Sequence, residues 1–85
     1  MFSLLNKSAV ITGGGSGIGK AIAELFAKQG AVVHIIELNE SITQETILEV
    51  GTNGGKAFGY SCDVSSQQHV KEIFEKLNSI DILIN

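Results

Sequence analysis

The 85-residue sequence contains no arginine, proline or tryptophan, and it has a single cysteine, Cys62. Its six lysines are scattered and outnumbered by nine acidic residues, so it lacks the basic patch that nucleic-acid binding requires. No apolar run approaches the roughly 20 residues of a membrane span, and no charged leader resembles a signal peptide. A lone cysteine cannot form an internal disulfide, which is consistent with a reducing compartment. We therefore expect a cytoplasmic protein that binds neither nucleic acid nor membrane.

Glycine, by contrast, is concentrated in one place. Five of the seven residues from 13 to 19 are glycine, and they join the apolar run 8–12 to a segment with apolar residues at helical spacing. Glycines allow a positive φ and let a ligand approach the backbone, while the following helix points unpaired N–H groups and its positive dipole end at an anion. This pattern predicts a phosphate cradle, for which a nucleotide is the natural ligand.

The spacing of these glycines leaves several nucleotide-binding classes open. The strict G-x-G-x-x-G fingerprint does not fit from Gly13, Gly15 or Gly17. Residues 14–20 spell the P-loop pattern G-x-x-x-x-G-K, but Ala21 stands where a Ser or Thr hydroxyl would hold Mg²⁺. A P-loop NTPase and a methyltransferase-type glycine loop are therefore alternatives.

Short apolar runs and helical periodicities alternate along the whole chain. Strands are predicted at 8–12, 31–36, 56–62 and 80–84. Helices are predicted from residue 18 to Gly30, from an Asn39 cap to a point before Gly51, and after a capping box at 65–68. Because crossovers between parallel strands are right-handed, the order βαβαβαβ favours an α/β fold with a Rossmann-type parallel sheet of strand order 3-2-1-4. We expect this sheet to be the N-terminal portion of a larger doubly wound domain.

Polar residues follow the predicted strands, where ligands bind on sheets of this kind. Glu37 follows the second predicted strand, 18 residues after Gly19, close to the spacing of about 20 for an acid that binds the adenosine ribose. A carboxylate would repel a 2′-phosphate, the chain has no arginine to hold one, and Leu38 rather than lysine follows Glu37. These observations predict NAD(H) in preference to NADP(H). Asp63 and Asn85 follow the third and fourth strands, and the alternative for Asp63 is a helix cap.

Three motifs in order resemble the short-chain dehydrogenase/reductase family. The glycine loop reads T-G-x-x-x-G-x-G from Thr12, the pair Asp63-Val64 follows the third strand, and residues 81–85 resemble a D-x-L-V-N opening, with Ile84 at the position of Val. The resemblance implies that Asp63 faces the adenine amino group, that the Val64 N–H faces an adenine ring nitrogen, and that Asn85 supports the central strands. The implied cofactor-binding residues are Gly13, Gly15, Ser16, Gly17, Ile18, Gly19, Glu37, Leu38, Asp63, Val64 and Asn85.

The residues that perform chemistry in this family are missing from the sequence. Its reductases use a Ser and a Tyr-x-x-x-Lys pair, whereas the one tyrosine here, Tyr60, is followed four residues later by Val64. His34 in a core strand and His69 on a helix surface are interpreted as structural, Cys62 as a packing residue, and neither catalytic residues nor a metal site are predicted. Lys20 is interpreted as a solvent-facing helix residue.

We therefore interpret residues 1–85 as a single dinucleotide-binding half-domain, truncated before the catalytic half. The resemblance implies a parent oxidoreductase that transfers hydride between nicotinamide and a carbonyl or alcohol substrate, and that forms a homo-oligomer. A nucleotide-binding Rossmann module without catalysis is the main alternative.

Overall fold

The computed structural model describes residues 3–13, 17–63, 65–77 and 79–84. Four strands alternate with three helices, as the periodicity predicts. The elements are β1 (Ser8–Thr12), α1 (Gly17–Lys28), β2 (Val32–Glu37), α2 (Glu40–Thr52), β3 (Lys56–Ser61), α3 (Gln67–Lys76) and β4 (Ile82–Ile84).

All four strands are parallel and form one sheet in the order β3-β2-β1-β4, which confirms the predicted topology. Thr12 pairs with Ile36, and Glu37 pairs with Ser61, so the carboxyl ends of β1, β2 and β3 lie side by side. This edge is where the sequence places its candidate binding residues.

The two central strands are buried because helices cover both faces of the sheet. Ile11, Val33 and Ile35 pack against α1 and α2 in one cluster, whereas Val10 and Ile36 pack against α3 in a second cluster. Burial on both faces explains why β1 and β2 read as nearly continuous apolar runs rather than as alternating ones.

Several predicted strand boundaries shift by one or two residues. β2 starts at Val32 instead of Ala31 and includes Glu37, while β3 ends before Cys62. β4 begins only at Ile82. Asp81, just before it, is hydrogen-bonded to the first residue of β1: its backbone N–H donates to Ser8 O (2.9 Å), and its Oδ2 accepts from the Ser8 N–H (2.8 Å).

The ends of the helices confirm one prediction and correct two. The Asn39 side chain caps α2 by accepting from the Ile42 N–H at 3.2 Å. α2 continues through Gly51 to Thr52 instead of ending before Gly51. The capping box at 65–68 was wrong by one residue, because Ser66 rather than Ser65 caps α3 and accepts from the His69 N–H.

None of the helices in the described ranges is long and apolar enough to cross a membrane.

A glycine in the edge strand β3 allows close packing of α2. A Cβ at Gly59 would meet the Thr43 methyl and would lie 2.9 Å from Ile47 Cδ1, whereas a Cβ at Gly51 would meet nothing within 4 Å. Gly59→Ala should therefore lower the free energy of unfolding by about 1 to 3 kcal/mol through overpacking. Gly51→Ala, as the control, should raise it by up to about 1 kcal/mol because alanine favours a helix. Urea denaturation measures both, and equal effects of the two changes would contradict this packing.

His34 lies half-buried on the α3 face of β2, with its Nδ1 3.0 Å from the Tyr60 hydroxyl oxygen. Burial lowers the pKa of His34 below its ordinary value of 6.5. The unfolded chain therefore binds this proton more tightly, so the stability contributed by neutral His34 is present above about pH 6.5 and is lost as the pH falls through the folded pKa.

We expect the free energy of unfolding to decrease between about pH 7 and pH 5. His34→Gln should flatten this dependence, while His69→Gln, at an exposed position on α3, should leave it in place. Denaturation curves measured across this range check the prediction, and an unchanged slope in the His34 variant would refute it.

Candidate functional site

The turn after β1 forms the centre of the candidate site. Gly13 has a φ of +69°, a region that side chains with a Cβ rarely occupy, and its N–H donates to Ile36 O at 2.8 Å. This bond fixes the end of β1 beside the end of β2. α1 then begins at Gly17, so its N-terminus lies at the same edge of the sheet.

The first turn of α1 is suited to an anion. It contains no acidic residue, and a Cβ at Gly17 would meet nothing within 4 Å, so the backbone there is open to a ligand. Unpaired N–H groups and the positive end of the helix dipole favour negative charge at this position. Ile18 is 79% exposed next to it, and Gly19 is buried.

Two small cavities lie on either side of Gly13. One of about 170 Å³ is lined by Gly13, Ile36, Glu37, Leu38, Cys62 and Asp63. The other, of about 270 Å³, is lined by Ile11, Thr12, Gly13, Ile18, Gly19, Ile22 and Ile84. The described residues of the predicted cofactor set, apart from Gly17, therefore each line one or both of these two cavities.

The Glu37 carboxylate faces the glycine turn. Its Oε2 lies 3.9 Å from where a Cβ on Gly13 would stand, and its Oε1 accepts from the Asn39 N–H at 3.3 Å. The hydrogen bond from the Asn39 N–H is long, so much of the acceptor capacity of the Glu37 carboxylate remains for a ligand.

Asp63 is exposed at the other end of the same cavity. Its Oδ1 accepts from the Ser65 N–H at 2.9 Å and from the Ser65 hydroxyl at 2.7 Å, and these two bonds hold the pKa of Asp63 below its ordinary value. Asp63 is thus ionised near neutral pH. The alternative that Asp63 caps α3 is wrong, because Ser66 occupies the cap.

Lys20 neither binds at the glycine turn nor points freely into solvent. Its Nζ lies 3.3 Å from Glu45 Oε1 and 2.9 Å from Glu49 Oε2, and its side chain is 26% exposed. These contacts tie α1 to α2. The structure therefore corrects the prediction of a solvent-facing lysine, and it places the Lys20 ammonium on α2 carboxylates rather than where a P-loop lysine would hold phosphate.

Sequence reasoning missed that Ile36 and Cys62 line the cavity beside Glu37. Cys62 is 1% exposed, and burial together with the nearby Asp63 charge raises the pKa of its thiol, so Cys62 lines the site as an unreactive residue. Alternation along β2 could have indicated Ile36, since it lies on the opposite face from Ile35. The sequence indicates Cys62 as a packing residue, but not as a neighbour of Glu37, because that position depends on the pairing of β3 with β2.

Four predicted cofactor residues, Gly15, Ser16, Val64 and Asn85, lie outside the described residues. Across the ranges that the structure describes, no group of three or more His, Cys, Asp or Glu side chains is arranged to hold a metal ion.

The fold and the glycine turn define a Rossmann-type protein, and comparison with known proteins identifies its family. The family model described as short chain dehydrogenase matches residues 7–85. The chain belongs to the short-chain dehydrogenase family.

Among curated proteins, the chain is 44% identical over 89 residues to the Bacillus subtilis protein called Uncharacterized oxidoreductase YxbG, covering all of this chain and 33% of that protein. It is 40% identical over 83 residues to the Escherichia coli 7alpha-hydroxysteroid dehydrogenase, covering 93% of this chain and 32% of the relative. It is also 38% identical to the short-chain dehydrogenase/reductase homolog YusS of Bacillus subtilis, of which it covers 81%. The chain thus spans about a third of the length of the first two relatives.

Solved structures agree with this family. The 7alpha-hydroxysteroid dehydrogenase complexed with NADH and 7-oxo glycochenodeoxycholic acid superposes with a TM-score of 0.90 and 38% identity, over all of this chain and 37% of the other. A Haemophilus influenza oxidoreductase with bound NAD gives a TM-score of 0.87 and 28% identity, over 95% and 30% of the two chains. Both of these solved structures, which share this fold, therefore contain a nicotinamide cofactor.

Proposed function

We propose that this chain supplies the cofactor-binding half of an NAD(H)-dependent short-chain dehydrogenase that transfers hydride between nicotinamide and a carbonyl or alcohol. The observation that carries the proposal is the Gly13 turn, which lies between two cavities, with Glu37 Oε2 3.9 Å from the position that a Cβ on Gly13 would occupy. When bound, the nicotinamide supplies the hydride chemistry. The described residues bind and orient the cofactor.

The backbone around Gly13 and the first turn of α1 would hold the pyrophosphate. The positive φ of Gly13 and the open space beside Gly17 leave room for phosphate oxygens close to the main chain. Helix N–H groups would donate to those oxygens, and no acidic side chain in the first turn opposes them. The Ser16 hydroxyl and the Gly15 backbone are proposed to complete this cradle.

Glu37 would accept hydrogen bonds from the adenosine ribose hydroxyls. Its carboxylate lies at the end of β2, beside the cavity that also contains Leu38 and Asp63. A 2′-phosphate at the same place would meet a negative charge, and the sequence offers no arginine to neutralise it. The preference for NAD(H) over NADP(H) rests on this charge.

Asp63 would accept from the adenine amino group, with the Val64 N–H directed at the adenine ring. The bonds from Ser65 keep Asp63 ionised and hold its side chain at the rim of the cavity. Cys62 and Ile36 would contribute apolar contact below it. Asn85 is proposed to support the strand ends, because Thr12 Oγ1 already donates to Ile84 O (3.4 Å), next to it in sequence.

The longer relatives suggest where the remaining parts of the parent enzyme lie. The two first relatives are about three times as long as the segment they match. The catalytic Ser and Tyr-x-x-x-Lys residues, the substrate site and the surfaces of a homo-oligomer are proposed to belong to that additional length.

Glu37→Ala should raise the dissociation constant for NADH about tenfold or more. The change removes charge-assisted hydrogen bonds worth about 1.5 to 3 kcal/mol, and 1.4 kcal/mol corresponds to a factor of ten. Fluorescence titration with NADH measures the effect. Glu75→Ala removes the same charge from an exposed position on α3 and serves as the control.

The same titration with NADPH tests the source of the preference. Wild-type protein should bind NADH more tightly than NADPH. Glu37→Ala should reduce this difference in affinity, because the carboxylate that repels the 2′-phosphate of NADPH is gone. An unchanged NADH affinity in the Glu37 variant would remove Glu37 from the site.

Asp63→Asn should weaken NADH binding about threefold, since a neutral oxygen replaces a charged acceptor at the adenine. The amide oxygen can still accept from Ser65, so circular dichroism should show an unchanged thermal transition. Asp63→Ala removes the acceptor for Ser65 as well and should reduce both binding and thermal stability. If only Asp63→Ala lowers stability and neither variant alters NADH affinity, Asp63 has a structural role alone.

A further inference from the structure

A third cavity lies beside the C-terminal end of α3, away from the residues proposed to bind the cofactor. Its volume is about 320 Å³, and its lining residues are Ser8, His34, Phe58, Tyr60, Lys76, Leu77 and Ser79. Ser8 begins β1 and Lys76 ends α3, so the cavity extends toward the amino ends of the strands, whereas Gly13 follows a carboxyl end. The residues proposed to bind NAD(H) take no part in it.

One wall of this cavity is a stack of aromatic rings. The His34 and Phe58 rings are 5.5 Å apart between centroids and inclined by 19°, and the Tyr60 ring lies 5.8 Å from His34. Phe58 is nevertheless 51% exposed. An exposed phenyl ring backed by a second ring offers a flat apolar surface on which another planar ring can stack.

One of the polar side chains that line the cavity is charged. Burial lowers the pKa of His34 and raises the pKa of Tyr60, so both rings are neutral near pH 7. Lys76 is the one charged side chain among the seven lining residues, and it forms no ion pair within the described part of the chain. The nearby Asp81 carboxylate already accepts from the Ser8 N–H at 2.8 Å. The cavity therefore offers an ammonium group to an anion.

We infer that this cavity binds a small planar aromatic carboxylate. The ring would stack on Phe58, and the carboxylate would pair with Lys76 and accept from the hydroxyl of Ser79. A volume of about 320 Å³ suits a ligand of one or two rings, at the lower end of the range for small-molecule sites, roughly 300 to 1,000 Å³. No feature of the cofactor site is needed for this binding.

Benzoate is the probe for this site. Titration of isotope-labelled protein should give saturable amide shifts at Phe58, Tyr60 and Leu77, with a dissociation constant on the order of a few millimolar. Benzyl alcohol lacks the charge, and cyclohexanecarboxylate lacks the planar ring, so each should bind at least about threefold more weakly.

Two variants separate the two contacts. Lys76→Gln should weaken benzoate binding by up to about fivefold, while Lys71→Gln, at an exposed position on the same helix, should not change it. Phe58→Leu should weaken binding by about threefold to tenfold without altering the fold, because Phe58 is half exposed. Shifts that do not saturate, equal binding of cyclohexanecarboxylate, or shifts at Gly13 and Glu37 instead would each overturn the inference.

Discussion

The rest of the site depends on the backbone of Gly13. Its φ of +69° turns the chain from β1 toward α1, and its N–H bond to Ile36 O fastens the ends of the two central strands together. A side chain in this conformation would cost roughly 1 to 2 kcal/mol. The same turn borders a cavity that includes Ile18 and Gly19 of α1 on one side and a cavity that includes Glu37 on the other. One residue thus lies between the proposed phosphate cradle and the proposed ribose acceptor.

The surrounding structure keeps this turn in place through packing and charge. β1 and β2 are buried between helices on both faces, so their ends have little freedom to shift. Lys20 links α1 to Glu45 and Glu49 of α2. Asp63 in turn is held by Ser65 at the end of β3. Rigid strand ends with oriented polar groups are the arrangement that ligand binding at the carboxyl edge of a parallel sheet requires.

The sequence predicted the fold well because its patterns are local. The apolar runs of β1 and β2 and the glycine loop follow directly from residue order, and right-handed crossovers leave few strand orders. Side-chain partners were harder to predict, because they join distant segments. Lys20 and Glu49 are 29 residues apart, and Cys62 reaches the cavity only through the pairing of β3 with β2. Backbone geometry decides whether Ser65 or Ser66 caps α3. Because the two adjacent residues are both serine, the sequence alone does not show which one is the cap.

The most direct test of the account is a map of amide chemical shifts on adding NADH to this chain. We expect the largest changes at Gly13, in the first turn of α1 from Gly17 to Gly19, and at Glu37, Leu38 and Asp63. The amides of Phe58 and Leu77, at the separate cavity, should change little. Saturable binding with this pattern would support the Gly13 turn as the cofactor cradle. Changes confined to other parts of the sheet, or no saturable change at all, would contradict it.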